Sequence, residues 1–144
     1  MATRSQPDLA VALRLSITRT ARRLRQEGAA GLSPSQGSAL ATIDRHGPLT
    51  PSELAARERI QRPTATRLVA KLEEGGLVAR TADPADRRSC LIAATGAGHD
   101  LLAEIRGRKD AYLARRLRTL PAEDRATLDR ATAILERLLE EEGA

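Results

Sequence analysis

The sequence predicts a mainly helical chain carrying one small β-hairpin, an α+β arrangement, and three observations lead there. Apolar residues recur at helical spacing in six separate segments. Two of those segments open on a hydroxyl residue, a proline, a serine and then Gln or Glu, the signature of a capped helix start. Only between residues 77 and 94 does the period change, where two short, partly β-branched runs flank a turn-rich stretch.

The first segment runs from Asp8 to about Gln26, with Leu9, Leu13, Ile17, Ala21 and Leu24 on one face and Arg14, Arg22, Arg23 and Arg25 between them. Gly28 to Gly31 reads as a loop. The second helix is opened by Ser33, Pro34, Ser35 and Gln36, a capping box, and buries Ala39, Leu40 and Ile43. His46, Gly47 and Pro48 stop it, with Gly47 suited to the left-handed position after a helix. Thr50, Pro51, Ser52 and Glu53 form a second capping box on a short helix that turns Leu54 and Ala55 inward and ends near Arg59. The fourth helix follows almost at once, with Gln61 as its N-cap and Pro63 in its first turn; Ala65, Leu68, Val69 and Leu72 follow the i, i+3, i+4, i+7 rule. Gly75 and Gly76 end it. Leu77–Ala82 and Ser89–Ala94 are the arms of a hairpin whose long polar tip is Asp83–Arg88. Thr95 caps a fifth helix carrying Leu101, Leu102, Ile105, Tyr112, Leu113 and Leu117. Pro121 begins a sixth with Leu128, Ala131, Ile134, Leu135, Leu138 and Leu139.

The chain has 144 residues, no Trp or Phe and one Tyr, so its core is built from small aliphatic side chains. Lys and Arg number 24 against 19 Asp and Glu, a formal net charge of +5 that favours a polyanionic partner. The charge is uneven. Residues 59–72 hold Arg59, Arg62, Arg67 and Lys71 with no acid, whereas residues 121–144 hold three Arg against seven acids. Cys90 is the single cysteine, which excludes an intrachain disulfide and a cysteine-based zinc site. His46 and His99 are isolated from one another and from any Cys, so no metal is expected, and no cofactor. No apolar stretch approaches the ~20 residues that span a bilayer, and the start lacks a signal peptide's apolar core; a cytoplasmic location is expected. Arginine outnumbers lysine so heavily that a GC-rich bacterial genome is the expected source.

Helix, tight turn, helix and hairpin is the order of a winged helix-turn-helix, whose second helix enters the major groove of duplex DNA. With Ala65, Leu68, Val69 and Leu72 inward, the outward positions are Arg62, Pro63, Thr64, Thr66, Arg67, Ala70 and Lys71. Arg62 and Arg67 can each present a bidentate fork to a guanine. Thr64 and Thr66 suit a thymine methyl or a phosphate, and Lys71 a phosphate. Gln61 stands at the same helix start, and the capped start at Thr50 and Ser52 offers main-chain N–H groups to a phosphate. At the hairpin tip, Arg87 and Arg88 suit a narrow, electronegative minor groove. Asp83 and Asp86 would brace those arginines, Asp86 orienting one of them.

The runs LTPSELA (Leu49–Ala55), TATRLVAKLEEGGLVAR (Thr64–Arg80), DPADRR (Asp83–Arg88) and ATGAG (Ala94–Gly98) resemble the MarR family of bacterial regulators. The resemblance covers nearly the whole chain, and the DPADRR wing is its most specific part. It implies an obligate, roughly triangular homodimer in which helix one and the two C-terminal helices of both chains interlock. It also implies binding to a pseudo-palindromic operator, usually as a repressor, and release by a small aromatic or phenolic effector. Pro63 departs from the Ser or similar residue usual there and cannot donate a main-chain bond to phosphate. Ala94 stands where Leu commonly precedes the Thr. Cys90 lies in a wing strand, not near the chain start where some relatives sense peroxide.

The expected division is a dimerisation helix over residues 1–31, a reading head over 32–95 and dimerisation helices over 96–144. An effector pocket is expected between helices one, two and five, near Leu13, Ile17, Ile43 and Leu101. The plainer alternative for the Arg62–Lys71 stripe is a solvated helix face, and for the whole chain a nonspecific architectural DNA-binding protein or a winged-helix interaction module. Enzymatic chemistry has no motif behind it: there is no Gly-rich phosphate loop, no His-Glu metal motif and no nucleophile elbow.

Overall fold

A computed structural model describes residues 2–140. Its elements are α1 (Gln6–Gly28), α2 (Pro34–His46), α3 (Pro51–Glu58), α4 (Arg62–Glu74), β1 (Val78–Asp83), β2 (Asp86–Ala94), α5 (Gly96–Arg118) and α6 (Ala122–Glu140). The expected mainly helical chain with one hairpin is the fold observed. The chain divides into two compact units, Met1–Lys109 and Asp110–Ala144, and the division falls inside α5.

The first unit holds the core. Ala39, Leu40 and Ile43 of α2, Leu54 and Ala55 of α3, and Ala65, Val69 and Leu72 of α4 close on one another with Leu49, Val78, Ile92 and Leu102. Fully burying a Leu or Ile side chain stabilises by about 1.5–3 kcal/mol, so this cluster fixes the angles between α2, α3 and α4. No buried polar or charged residue interrupts it among the described residues.

Local chemistry sets the helix ends. Ser5 caps α1 by accepting from the Asp8 N–H at 3.3 Å, which starts the helix two residues ahead of Asp8. Ser33 and Gln36 make both bonds of the expected capping box, at 3.1 and 2.9 Å. The second box is only half made: Thr50 Oγ1 accepts from the Glu53 N–H at 3.1 Å, and no return bond from the Glu53 side chain forms. Gly47 is not left-handed as expected. It is extended, with φ −68° and ψ 163°, and is joined to Pro48 by a cis peptide bond. A side chain there would meet the Ile43 carbonyl oxygen at 2.5 Å, so close approach of backbones, not a positive φ, requires glycine.

The hairpin differs most from expectation. β1 and β2 pair antiparallel from Val78↔Ala94 to Ala82↔Cys90, and the next pair is Asp83↔Asp86. The turn is therefore Pro84–Ala85 alone, not a six-residue tip. Ala82 and Asp83 are consecutive while Arg87, Arg88 and Ser89 stand between their partners, so these three bulge out of the ladder. A third chain segment joins the sheet: Leu49 exchanges both main-chain hydrogen bonds with Ile92, at 3.0 and 2.8 Å.

Thr95 locks the hairpin to α5. Its N–H donates to the Leu77 carbonyl at 3.0 Å, its hydroxyl donates to the Gly76 carbonyl at 2.6 Å, and the same oxygen accepts from the Gly98 N–H at 3.1 Å.

On α1 the only buried residue is Gly28, and Leu9, Val11, Leu15 and Ile17 are exposed. In the second unit, Thr119 and Leu120 close the end of α5 by N–H bonds to the Arg116 and Leu117 carbonyls. There α6 buries none of its residues and exposes Leu128, Ile134, Leu138 and Leu139, the last at 65%. Among the described residues no helix is long and apolar enough to cross a membrane.

Candidate nucleic-acid interface

The reading head is assembled from α3, a three-residue link (Arg59–Gln61) and α4. Burial of Ala65, Val69 and Leu72, with Leu68 half-buried, turns the opposite face of α4 to solvent. Arg62, Pro63, Thr66, Arg67, Ala70 and Lys71 are exposed there as expected; Thr64 is half-buried. Thr64 Oγ1 accepts from Arg67 Nη2 at 3.3 Å, and Thr66 donates to the Arg62 carbonyl at 3.0 Å. Both threonines are therefore engaged within the helix. Lys71 lies 3.8 Å from Glu74 across one turn, with both side chains mostly exposed, a pair of little energetic weight.

The start of α4 is electrostatically lopsided. Gln61 is its N-cap but makes no side-chain cap bond, Pro63 lacks an N–H, and no acid lies in the first turn. Arg62 instead places a cation at the positive end of the helix dipole, where an anion is preferred. That arrangement disfavours the isolated helix and favours an approaching phosphate or guanine. Of the two positions at the start of α3, Ser52 is exposed, and the Thr50 hydroxyl is taken up by its cap.

On the wing, Arg87 and Arg88 are exposed strand residues within the bulge. Asp83 accepts from the Ala85 N–H and Asp86 from the Arg88 N–H, each at 2.9 Å. Asp86 thus holds the main chain that carries Arg88 and does not contact its guanidinium. Cys90 is half-buried on the same strand.

Two tethers escaped the sequence reading. Glu58, at the end of α3, accepts from the Ser38 and Thr42 hydroxyls of α2 at 2.8 and 2.5 Å. Glu73 of α4 accepts from Arg80 Nε of β1 at 2.9 Å, joining helix to wing. Acids at helix ends gave no hint of such partners, because the partners are 16 to 20 residues away or sit on another element. His99 Nδ1 lies 3.0 Å from Asp44 Oδ1, linking α5 to α2. His46 has its pKa lowered from the usual histidine value, first by desolvation and then by the positive charges of Arg57 and Arg45.

A cleft of about 780 Å³ opens between α1, α2 and α5 within the first unit. Leu24, Leu32, Leu102 and Ile105 form its apolar walls, and Arg22, Arg25, Arg106 and Lys109 also line it, with no carboxylate among its described lining residues. The region is the one expected, but none of Leu13, Ile17, Ile43 and Leu101 lines it. Ile43 is consumed by the core, Ile17 is 48% exposed, and the helix rotations place Leu102 and Ile105, not Leu101, toward the space.

Comparison with known proteins decides the family. The MarR family model matches residues 32–90. An HTH-type transcriptional regulator of Mycobacterium leprae is 36% identical over 138 residues, covering 95% of this chain and 96% of that protein. The chain belongs to the MarR family. The HTH-type transcriptional repressor MdtR of Bacillus subtilis is 32% identical over 110 residues, covering 76% of this chain and 71% of that protein. The crystal structure of a transcriptional regulator protein from Pseudomonas aeruginosa superposes with a TM-score of 0.86 at 37% identity, covering 96% of this chain and 98% of that one. As a MarR-family member this protein is a DNA-binding transcriptional regulator with a winged-helix head, not an enzyme.

Proposed function

We propose that the protein is a homodimeric repressor that grips a pseudo-palindromic operator and lets go when a small molecule occupies its cleft. The observation that carries the reading is the exposed face of α4, where Arg62, Arg67 and Lys71 stand together and the first turn holds no acid. In this reading α4 lies in the major groove, with Gln61, Arg62, Pro63, Thr64, Thr66 and Arg67 nearest the base edges and Lys71 on the phosphates. Thr50 and Ser52 meet the neighbouring backbone. Arg87 and Arg88 reach the minor groove from the bulge, held by Asp83 and Asp86.

Dimerisation is supported by apolar residues left in water on α1 (Leu9, Val11, Leu15, Ile17) and, separately, on α6 (Leu128, Ile134, Leu138, Leu139). Residues 1–31 and 96–144 then serve the dimer and residues 32–95 the DNA. Repression is supported by the name of the relative MdtR, a transcriptional repressor. The cleft's apolar walls and four cations suit an aromatic or phenolic effector that carries a negative charge.

Genome-wide capture of duplex fragments by the purified protein tests the reading and yields the half-site spacing. On the captured site, Arg67→Ala combined with Arg87→Ala should weaken binding, by ~1–3 kcal/mol for each bidentate fork removed from a base. Equal affinity of variant and wild type would refute the assignment of these arginines to DNA. Equal competition by random duplex would replace specific regulation with architectural binding. A stable monomer by solution mass would remove the dimer.

A further inference from the structure

The link between α3 and α4 contains a backbone conformation that its residue type disfavours. Arg59 has φ 54° and ψ 45°, the left-handed region, and is the one non-glycine residue with positive φ among the described residues. The conformation belongs to a Schellman ending of α3: the Ile60 N–H bonds to the Ala55 carbonyl at 3.0 Å and the Arg59 N–H to the Ala56 carbonyl at 3.3 Å. Glycine is the usual residue at that position, since any Cβ is penalised there. Among the described residues the other two positive-φ sites are glycines, Gly31 (φ 81°) and Gly76 (φ 71°).

What holds an arginine in the third? Its charge does favour the negative end of the α3 dipole, but Arg57 already stands in that last turn. The Arg59 side chain is exposed and has no hydrogen-bond or ion-pair partner among the described residues. Its backbone is fixed by two main-chain bonds and by Ile60, which packs against the core. The result is an unpartnered guanidinium mounted on a rigid corner, three residues before Arg62. When the second helix of such a head lies in the major groove, the first crosses the sugar-phosphate backbone. The corner between them then passes the groove rim, where the phosphates are.

We propose that Arg59 is a DNA-phosphate contact, and that the strained corner is retained because it presents this side chain. The proposal rests on the reading of α4 as the helix that enters the groove. Local strain of this kind persists where surrounding structure over-determines it and concentrates at functional sites.

The test compares Arg59→Gly, Arg59→Asn and Arg59→Lys with wild type on a short mixed-sequence duplex, since a phosphate contact carries no sequence information. Binding is measured across salt concentrations and stability by thermal melting. Arg59→Gly relieves the strain and should melt roughly 2–4 °C higher. It should nevertheless bind several-fold more weakly, with the log–log salt slope of the dimer shallower by about 1.8, one phosphate's worth of counterions (about 0.9) from each protomer. Arg59→Asn tolerates the left-handed backbone and should show the same shallower slope. Arg59→Lys should keep the wild-type slope. Wild-type slope in both Gly and Asn variants would overturn the phosphate contact while leaving α4 in place. A wild-type protein with no salt-dependent duplex binding would instead overturn the reading of α4, and the phosphate contact with it.

Discussion

Gly98→Ala puts the lock between hairpin and α5 under direct strain. A Cβ at residue 98 would fall 2.1 Å from the Leu77 carbonyl oxygen and 3.0 Å from its carbon, with Leu40 Cδ1 at 3.3 Å. Carbon–oxygen contacts need about 3.3 Å, so one backbone must retreat by about an ångström. The Leu77 carbonyl cannot retreat freely, because it accepts the Thr95 N–H at 3.0 Å. Nor can the α5 start, whose Gly98 N–H is held by the Thr95 hydroxyl at 3.1 Å. Breaking the one neutral hydrogen bond of whichever backbone gives way costs ~1 kcal/mol, and overpacking adds ~1–3 kcal/mol. Alanine's better helix propensity returns ~0.5–1 kcal/mol. The expected net destabilisation is about 1–3.5 kcal/mol, a sizeable share of the ~5–15 kcal/mol typical of a folded domain. Urea unfolding followed by far-UV circular dichroism, at one fixed protein concentration, measures it. A variant within ~0.5 kcal/mol of wild type would show that the two backbones separate cheaply and that the corner is not a lock.

Leu54→Ala empties a fully buried site between α2, α3 and α4 and should cost ~2–5 kcal/mol in the same assay. Glu73→Gln and Arg80→Gln should each lower stability by less than ~1 kcal/mol, since the pair is partly exposed. Both should weaken operator binding, because the pair joins helix to wing, and the charge-swapped double variant should recover part of that affinity. The His46 ring should titrate below the ordinary histidine range when followed by NMR, and Arg57→Ala should move the midpoint up. Its folded-state pKa is depressed, so protonation favours the unfolded chain, and this residue's contribution to stability declines as pH falls through about 6.5.

Helices were legible in the sequence because each announces itself locally. Ser33 and Gln36, or Thr50 and Pro51, mark helix starts with residues three positions apart or fewer, and the Ala65–Leu72 stripe reveals which face of α4 is left over. What was hidden depends on pairs distant along the chain. The Leu49–Ile92 bridge is one residue long on one side and leaves no alternating pattern. The turn at Pro84–Ala85 was masked because Asp86, Arg87 and Arg88 look like loop residues, and only the strand register shows Arg87, Arg88 and Ser89 to be bulged. The cleft lining depends on how α1 and α5 are rotated about their axes, and a shift of one residue separates Leu101 from Leu102. The left-handed backbone of Arg59 gave no signal, since nothing in its neighbours demands a positive φ.

The three-residue excursion in β2 has an evolutionary corollary. Everything from Cys90 inward is zipped to β1 in fixed alignment, while Arg87, Arg88 and Ser89, between Cys90 and the Asp83↔Asp86 pair, answer to no partner across the ladder. Additions or losses at Arg87–Ser89 would change the reach of the wing without disturbing the zipped portion or the helices behind it. Descendants of such a molecule could retune their grip on DNA one outer residue at a time, with the scaffold left untouched.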